Sequence, residues 1–329
     1  MKGKGFWRLG VSIVVLAAVL LAGGEAFAEK THVLKVSSVL NDKDPIILGL
    51  LEMQKAVAER SNGRLAIEVY PSSQLGSTDD CQEQAKMGAN VAVVTDAARL
   101  ADIVKEIGIL GAPYIVDDYK GALKLVKSDV FKSWAAKLEP HGYKSLSFNW
   151  YQGTRHFMGN KPLTTQEEMR GVRTRTPGSP VWRESVAAMG ATPVDISWAE
   201  VYPGMQQKVI DAFEAQYPAI VGASLFEVAK VVSKTGHFQL MTGLVCGKKF
   251  FDSLPEDLQV ILLEEAEKAG DYATEMTASK LSEYEEMMKG QGVTFLDVDI
   301  APFKAAVEPV YEKLGLTEAR KQAMEVLAK

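Results

Sequence analysis

Cysteine and histidine are scarce in this chain of 329 residues: Cys81 and Cys246 are the only thiols, and His32, His141, His156 and His237 the only imidazoles. Two cysteines cannot staple a small scaffold together. They could pair in an oxidising compartment, but sequence spacing does not give the distance between them. The four histidines are far apart and show none of the short pairings of zinc ligands. Also missing are Gly-x-Gly-x-x-Gly, a Walker-type glycine loop, a Gly-x-Ser-x-Gly elbow and a His-Glu-x-x-His helix. Each of those chemistries needs the local geometry its motif supplies, so neither an enzyme nor a cofactor or metal is expected. Paired carboxylates for glycoside chemistry are not tested this way, because they converge only in three dimensions. Positive charge is in deficit as well, with 37 Lys+Arg against 42 Asp+Glu. Nucleic acid and anionic lipid need clustered positive charge, which argues against both as partners.

Long apolar runs are limited to one. Lys2, Lys4 and Arg8 precede an apolar stretch from Val11 to Ala22, and Ala26-Phe27-Ala28 follows with the small-x-small pattern of a signal-peptidase site. Residues 1–28 are therefore expected to be a cleaved secretory signal peptide, placing the mature chain in the periplasm. The run is about 12 residues, too short for the roughly 20 of a spanning helix. Gly23 stands where a lipoprotein signal would need cysteine. The remaining 301 residues carry 34 Lys+Arg and 41 Asp+Glu. That length exceeds what one core usually fills, so two domains are expected.

What is present is alternation of strand and helix patterns. His32 to Val39 reads as a strand, Asn41 to Pro45 as a polar loop, Ile46 to Ser61 as an amphipathic helix, and Leu65 to Tyr70 as a second strand. Further strands (Val91 to Val94, Lys144 to Trp150, Gly171 to Thr174, Val209 to Phe213) alternate with helices (Thr78 to Met87, Lys120 to Val126, Val181 to Met189, Trp198 to Gln206). The class is α/β with a parallel sheet, and ligands of such sheets sit beyond the carboxyl ends of the strands. From Pro255 to Gly290 apolar residues recur every three or four positions, predicting one helix about 50 Å long that spans both domains. Gly270 is expected to loosen it locally.

Between residues 150 and 218 lie Trp150, Tyr151, Arg155, Arg173, Arg175, Trp182, Trp198, Phe213, Glu214 and Gln216. A guanidinium makes two parallel hydrogen bonds to a carboxylate and keeps its charge, so one arginine here suits a carboxylate clamp. The ordered segments Gly153-Thr154-Arg155-His156-Phe157, Asn160-Lys161-Pro162-Leu163, Met169-Arg170-Gly171-Val172-Arg173-Thr174-Arg175-Thr176-Pro177, Met189-Gly190-Ala191-Thr192-Pro193, Trp198-Ala199-Glu200-Val201-Tyr202 and Val209-Ile210-Asp211-Ala212-Phe213-Glu214 resemble the signature of the DctP family, the solute-binding proteins of TRAP transporters. Asn62-Gly63-Arg64, Ser73-Gln74-Leu75-Gly76 and Phe250 to Gln259 extend the resemblance over nearly the whole mature chain.

The resemblance implies a two-lobed periplasmic binding protein, type II-like, with residues 29–152 plus 241–280 in domain I and 153–240 plus 281–329 in domain II. It implies a monomer that closes on an organic acid and passes it to a small and a large TRAP membrane subunit. The family register assigns the carboxylate clamp to Arg175, with Arg173 as the alternative, and a second ligand arginine to Arg155. Trp198, Gln216 and Trp150 are expected beside the ligand, with Gln74, Asp96 and Tyr114 on the first domain's side. Ala215 stands where the family commonly has a ligand asparagine, and Phe213 where a polar residue is more usual. That departure points to a bulky aromatic or indolic monocarboxylate. A small dicarboxylate or sugar acid, or service to an ABC importer or a sensory receptor, is the alternative.

Overall fold

A computed structural model describes residues 31–329; the signal peptide expected over residues 1–28 lies outside the described residues. Among the described residues no helix is long and apolar enough to cross a membrane.

One nine-stranded sheet runs through the molecule. Its strands are β1 (His32–Ser37), β2 (Leu65–Tyr70), β3 (Val91–Asp96), β4 (Tyr143–Gly159), β5 (Arg173–Thr176), β6 (Thr192–Asp195), β7 (Ala212–Gln216), β8 (Val231–Gly247) and β9 (Thr294–Asp297). The order is β2-β1-β3-β8-β4-β7-β5-β6, with β9 paired to β8. β1 is parallel to β2 and β3, and β5 to β6 and β7, so each end of the sheet is a parallel α/β unit. Between them β4 and β8 run antiparallel, each 17 residues long. One end of β8 pairs with β3 and its other end with β9, so these two strands join the halves. Their register shifts between Tyr151 and Gly153, where Gly153 has φ +124°, a conformation that a side chain would strain.

The first half was legible because its local signals agree. The helix Pro45–Arg60 has Asp44 as N-cap, its Oδ1 accepting from the Ile46 N–H at 2.9 Å, and Pro45 in the first turn. Ile46, Ile47, Leu50, Met53 and Val57 are buried, while Leu51 faces water. The helix Thr78–Lys86 opens with a capping box between Ser77 and Asp80. The long helix runs unbroken from Glu256 to Gly290. Its start, Leu258 to Ala273, packs into the core of the first half, and Met288 near its end packs into the core around Met158, Phe213 and Ile220 in the second. It is thus a spine common to both halves.

One expectation changes, and the pairing of the cysteines, left open by the sequence, is decided. Gly270 does not loosen the helix: a Cβ there would lie 2.3 Å from Asn149 Oδ1, so glycine allows β4 to approach. The two cysteines are both free and buried. Cys81 packs with Val91 and Val93 on one face of β3, whereas Cys246 belongs to the core that takes Ala92 and Val94 on the other, so the sheet separates them.

Candidate functional site

A cavity of about 260 Å³ opens between the two halves at the carboxyl ends of β3, β5 and β7, and Thr95, Asp96, Arg175 and Gln216 line it. β5 is short and its burial rises along its length, which separates its two arginines. Arg173, with its side chain 45% exposed, forms a double hydrogen bond to Asp211 on the surface at 2.9 and 2.8 Å. Arg175, two residues on, is 2% exposed and lines the cavity.

Arg175 is a buried charge without a counter-ion. Its Nε donates to the Ile196 carbonyl at 3.0 Å, and its guanidinium lies over the Trp198 ring, 5.4 Å from the centroid. Among the described residues no carboxylate forms an ion pair with it. Burial, and after it the repulsion of Arg155, lowers its pKa to about 9, which leaves it protonated at neutral pH.

Arg155 also lines the cavity but is already neutralised. Its Nε and one terminal nitrogen hold both oxygens of the fully buried Glu214, the latter at 2.7 Å, and the same nitrogen reaches the Glu214 carbonyl. The other terminal nitrogen donates to Gln216 Oε1 at 2.8 Å, so one N–H of five is left for a guest. Burial alone would raise the Glu214 carboxyl, but Arg155 and His237 outweigh it and hold it below the ordinary carboxylate range. From Gln216 the network continues to Gln152 Oε1 at 2.8 Å, to Thr242 Oγ1 at 3.2 Å and to the Trp150 carbonyl at 2.8 Å. These side chains form a pinned polar floor across β7, β4 and β8.

The first half contributes a further ion pair. Asp96 caps the turn after β3 by accepting the Arg99 N–H at 2.9 Å, and its second oxygen lies 3.1 Å from Arg99 Nε. Arg99 also pairs with Asp79. The Thr95 Oγ1 and Trp182 Nε1 atoms are buried without any hydrogen-bond partner, and both residues line the cavity. Buried polar atoms are rarely left so, and two beside one void mark where a guest's polar groups would complete the set.

Of the residues singled out in the sequence, the structure brings Arg175, Arg155, Trp182, Trp198, Gln216 and Asp96 to the cavity. It places five elsewhere. Phe213 and Ala215 alternate with Glu214 and Gln216 along β7, so they point through the sheet into the core with Met158, Val201 and Ile220. Trp150 is in the core beneath the first half, its indole N–H on Ser147 Oγ at 2.7 Å. The Tyr114 hydroxyl donates to the Thr235 carbonyl at 3.2 Å, and its ring packs against the core around Phe157 and Phe303. Gln74 is exposed on a turn. The loop Thr95-Asp96 was expected on the first domain's side of the cleft and is there, whereas the sequence reading passed over Arg99, Gln152 and Thr242. Only Arg99 carried a signal, a cation three residues after Asp96 in a turn already assigned to the cleft.

Another hollow, about 200 Å³, lies on the flank of the first half against Phe131, Leu146 and Phe148. Of the ammonium groups along it, Lys127 and Lys144 are paired with Asp271 and Glu139 and Lys132 is exposed, so among the described residues it holds no unmatched buried charge.

The model of the bacterial extracellular solute-binding proteins, family 7 (DctP), matches residues 36–317. Three solved TRAP periplasmic solute-binding proteins are similar in structure. That of Escherichia fergusonii, in an apo open form, is 40% identical and covers 90% of this chain and 100% of its own, with a TM-score of 0.79. That of Ochrobacterium anthropi, with bound L-fuconate, is 34% identical over 90% and 99%, with a TM-score of 0.87. That of Actinobacillus succinogenes, with bound L-galactonate, is 32% identical over 90% and 99%, with a TM-score of 0.86.

Proposed function

The chain belongs to the DctP family of bacterial extracellular solute-binding proteins, and from that membership we propose that it captures a sugar acid with one carboxylate between its lobes for delivery to a TRAP membrane permease. The observation that carries the proposal is Arg175, a guanidinium held almost out of water with no carboxylate paired to it among the described residues. Removing a charge from water costs several kcal/mol unless a partner of opposite sign replaces the lost hydration. A carboxylate entering the cavity is that partner.

Charge matching argues for a single carboxylate. Arg155 is matched by Glu214, and Arg99 by Asp96 with Asp79, which leaves Arg175 alone. A dicarboxylate would bring a second negative charge to a site with one unmatched cation. The polar floor, Thr95 Oγ1 and Trp182 Nε1 favour a guest with several hydroxyl groups. The expectation of an aromatic or indolic acid gives way to its alternative, because each of the two indole rings at the cavity already carries a guanidinium. Trp182 carries the Arg155 guanidinium at 4.3 Å and Trp198 that of Arg175, while Phe213 and Trp150 are core. The two ligand-bound relatives hold aldonates.

The open structure is closer in sequence than the two ligand-bound ones yet superimposes less well on this chain. A ligand bridging the lobes would stabilise the closed arrangement by its contacts to both, with hinging at the register shifts of β4 and β8. Titration calorimetry against hexonates, hexuronates, succinate, malate and indole-3-acetate tests the reading. A hexonate or hexuronate is expected to bind at micromolar Kd or tighter; tight succinate or malate with no sugar-acid binding defeats it in favour of a dicarboxylate.

A further inference from the structure

The cavity does not end at Trp198. A second chamber of about 250 Å³ adjoins it, and Val39, Leu40, Ser73, Trp198, Ala199 and Ala219 line both. Asn41, Asp44 and Ser72 of the first lobe face Tyr202, Gly222 and Leu225 of the second across this chamber. It is therefore an interlobe space continuous with the cleft of Arg175.

Asp44 is the charged group of that chamber. It is 6% exposed. One oxygen caps the helix Pro45–Arg60 through the Ile46 N–H, and among the described residues the other accepts no hydrogen bond and no cation pairs with the carboxylate. Capping requires only one acceptor atom, and serine or asparagine would cap as well without burying a charge. The second oxygen is what the cap leaves unexplained. The pKa, pushed up to about 7 by burial, reflects the same isolation. Tyr284 of the long helix lies close enough for Asp44 to raise its pKa, and the Tyr202 hydroxyl is committed to Glu227.

We propose that Asp44 is a specificity determinant, its free oxygen accepting a hydrogen bond from the hydroxyl at the end of the sugar acid remote from the carboxylate. This rests on the sugar-acid reading of the cleft. With the carboxylate on Arg175 in one lobe and the terminal hydroxyl on Asp44 in the other, the ligand ties the lobes together through its two ends. The chamber then selects for chain length and for a terminal hydroxyl. A site built to bond a hydroxyl discriminates strongly against the analogue without it, because the acceptor is left unpaired.

L-galactonate and L-fuconate differ only in that terminal hydroxyl, which makes them the probes. Calorimetric titration at pH 8 is expected to show the wild-type protein preferring L-galactonate by at least about tenfold. In Asp44→Ser, which keeps the helix cap, L-galactonate affinity should fall to that of L-fuconate, with L-fuconate affinity changing by less than about twofold. Asp44→Asn, which keeps the cap and the shape but loses the charge, should give an intermediate ratio; melting temperatures near wild type confirm that both variants are folded. Equal wild-type affinities for the two hexonates, or equal losses for both ligands in Asp44→Ser, overturn the role of Asp44 while leaving the sugar-acid reading standing. Binding of a hexuronate but of neither hexonate overturns the role of Asp44 alone; binding of no sugar acid, with another acid bound, overturns both.

Discussion

Arg175 loses its hydration on folding and, among the described residues, gains one hydrogen bond, to the Ile196 carbonyl. The apo protein is therefore less stable than it would be with an apolar side chain of similar volume there, because an uncompensated buried charge is a net cost. Arg175→Met is expected to move stability and binding in opposite directions. The apo melting temperature should rise, by an amount corresponding to about 1–3 kcal/mol, while sugar-acid affinity falls at least about a hundredfold. Scanning calorimetry and titration on the same preparation check both; a fall in apo stability together with lost binding would mean that Arg175 is held for structure. Arg155 differs at this scale. Its charge is spent on Glu214 and its fork on Gln216, so it shapes the floor and has little left for a guest. The resemblance named both arginines, and only side-chain pairing separates the free one from the bound one.

At the level of elements, alternation along β7 decides what faces the ligand. Glu214 and Gln216 lie on the cleft side and Phe213 and Ala215 on the core side, a consequence of the two-residue period that was available from the sequence. Reading Ala215 as a ligand position ignored that period, and the aromatic ligand followed from it. The spine helix was legible from its apolar spacing, but the reason for Gly270 was not. Asn149 of β4 fills the space of a Cβ there and donates to the Glu267 carbonyl at 2.7 Å and to Asp271 Oδ1 at 2.8 Å. Gly270→Ala would gain about 1 kcal/mol of helix propensity, yet it must displace Asn149 and break those bonds. A net destabilisation of about 1–3 kcal/mol is expected in denaturant unfolding; a stabilised variant would instead support a loosening role. The strand β8 had no clear pattern to find. Lys234, Gly236, His237 and Gln239 interrupt its alternation because it changes neighbours along its length, from β9 to β3.

For the whole molecule, the proposed function turns on closure. Cations from both halves meet at one cavity, Arg99 from the first and Arg175 with Arg155 from the second. A bound anion should hold the halves together, so small-angle scattering is expected to show the wild-type protein contracting on addition of its sugar acid and Arg175→Met failing to contract. Equal scattering profiles with and without saturating ligand would remove closure from the mechanism. The sequence by itself determined the α/β class, the first βαβ unit, the long late helix and the family, since these rest on local periodicity, caps and an ordered set of short segments. It also singled out Arg175, through the family register. The tertiary structure alone decided which charges are matched. Glu214 pairs with Arg155 and Asp96 with Arg99, while among the described residues no carboxylate pairs with Arg175, because ion pairing depends on distances between strands that are remote in the chain. The same holds for the chamber at Asp44, which exists only where a loop after β1 meets the helix after β7.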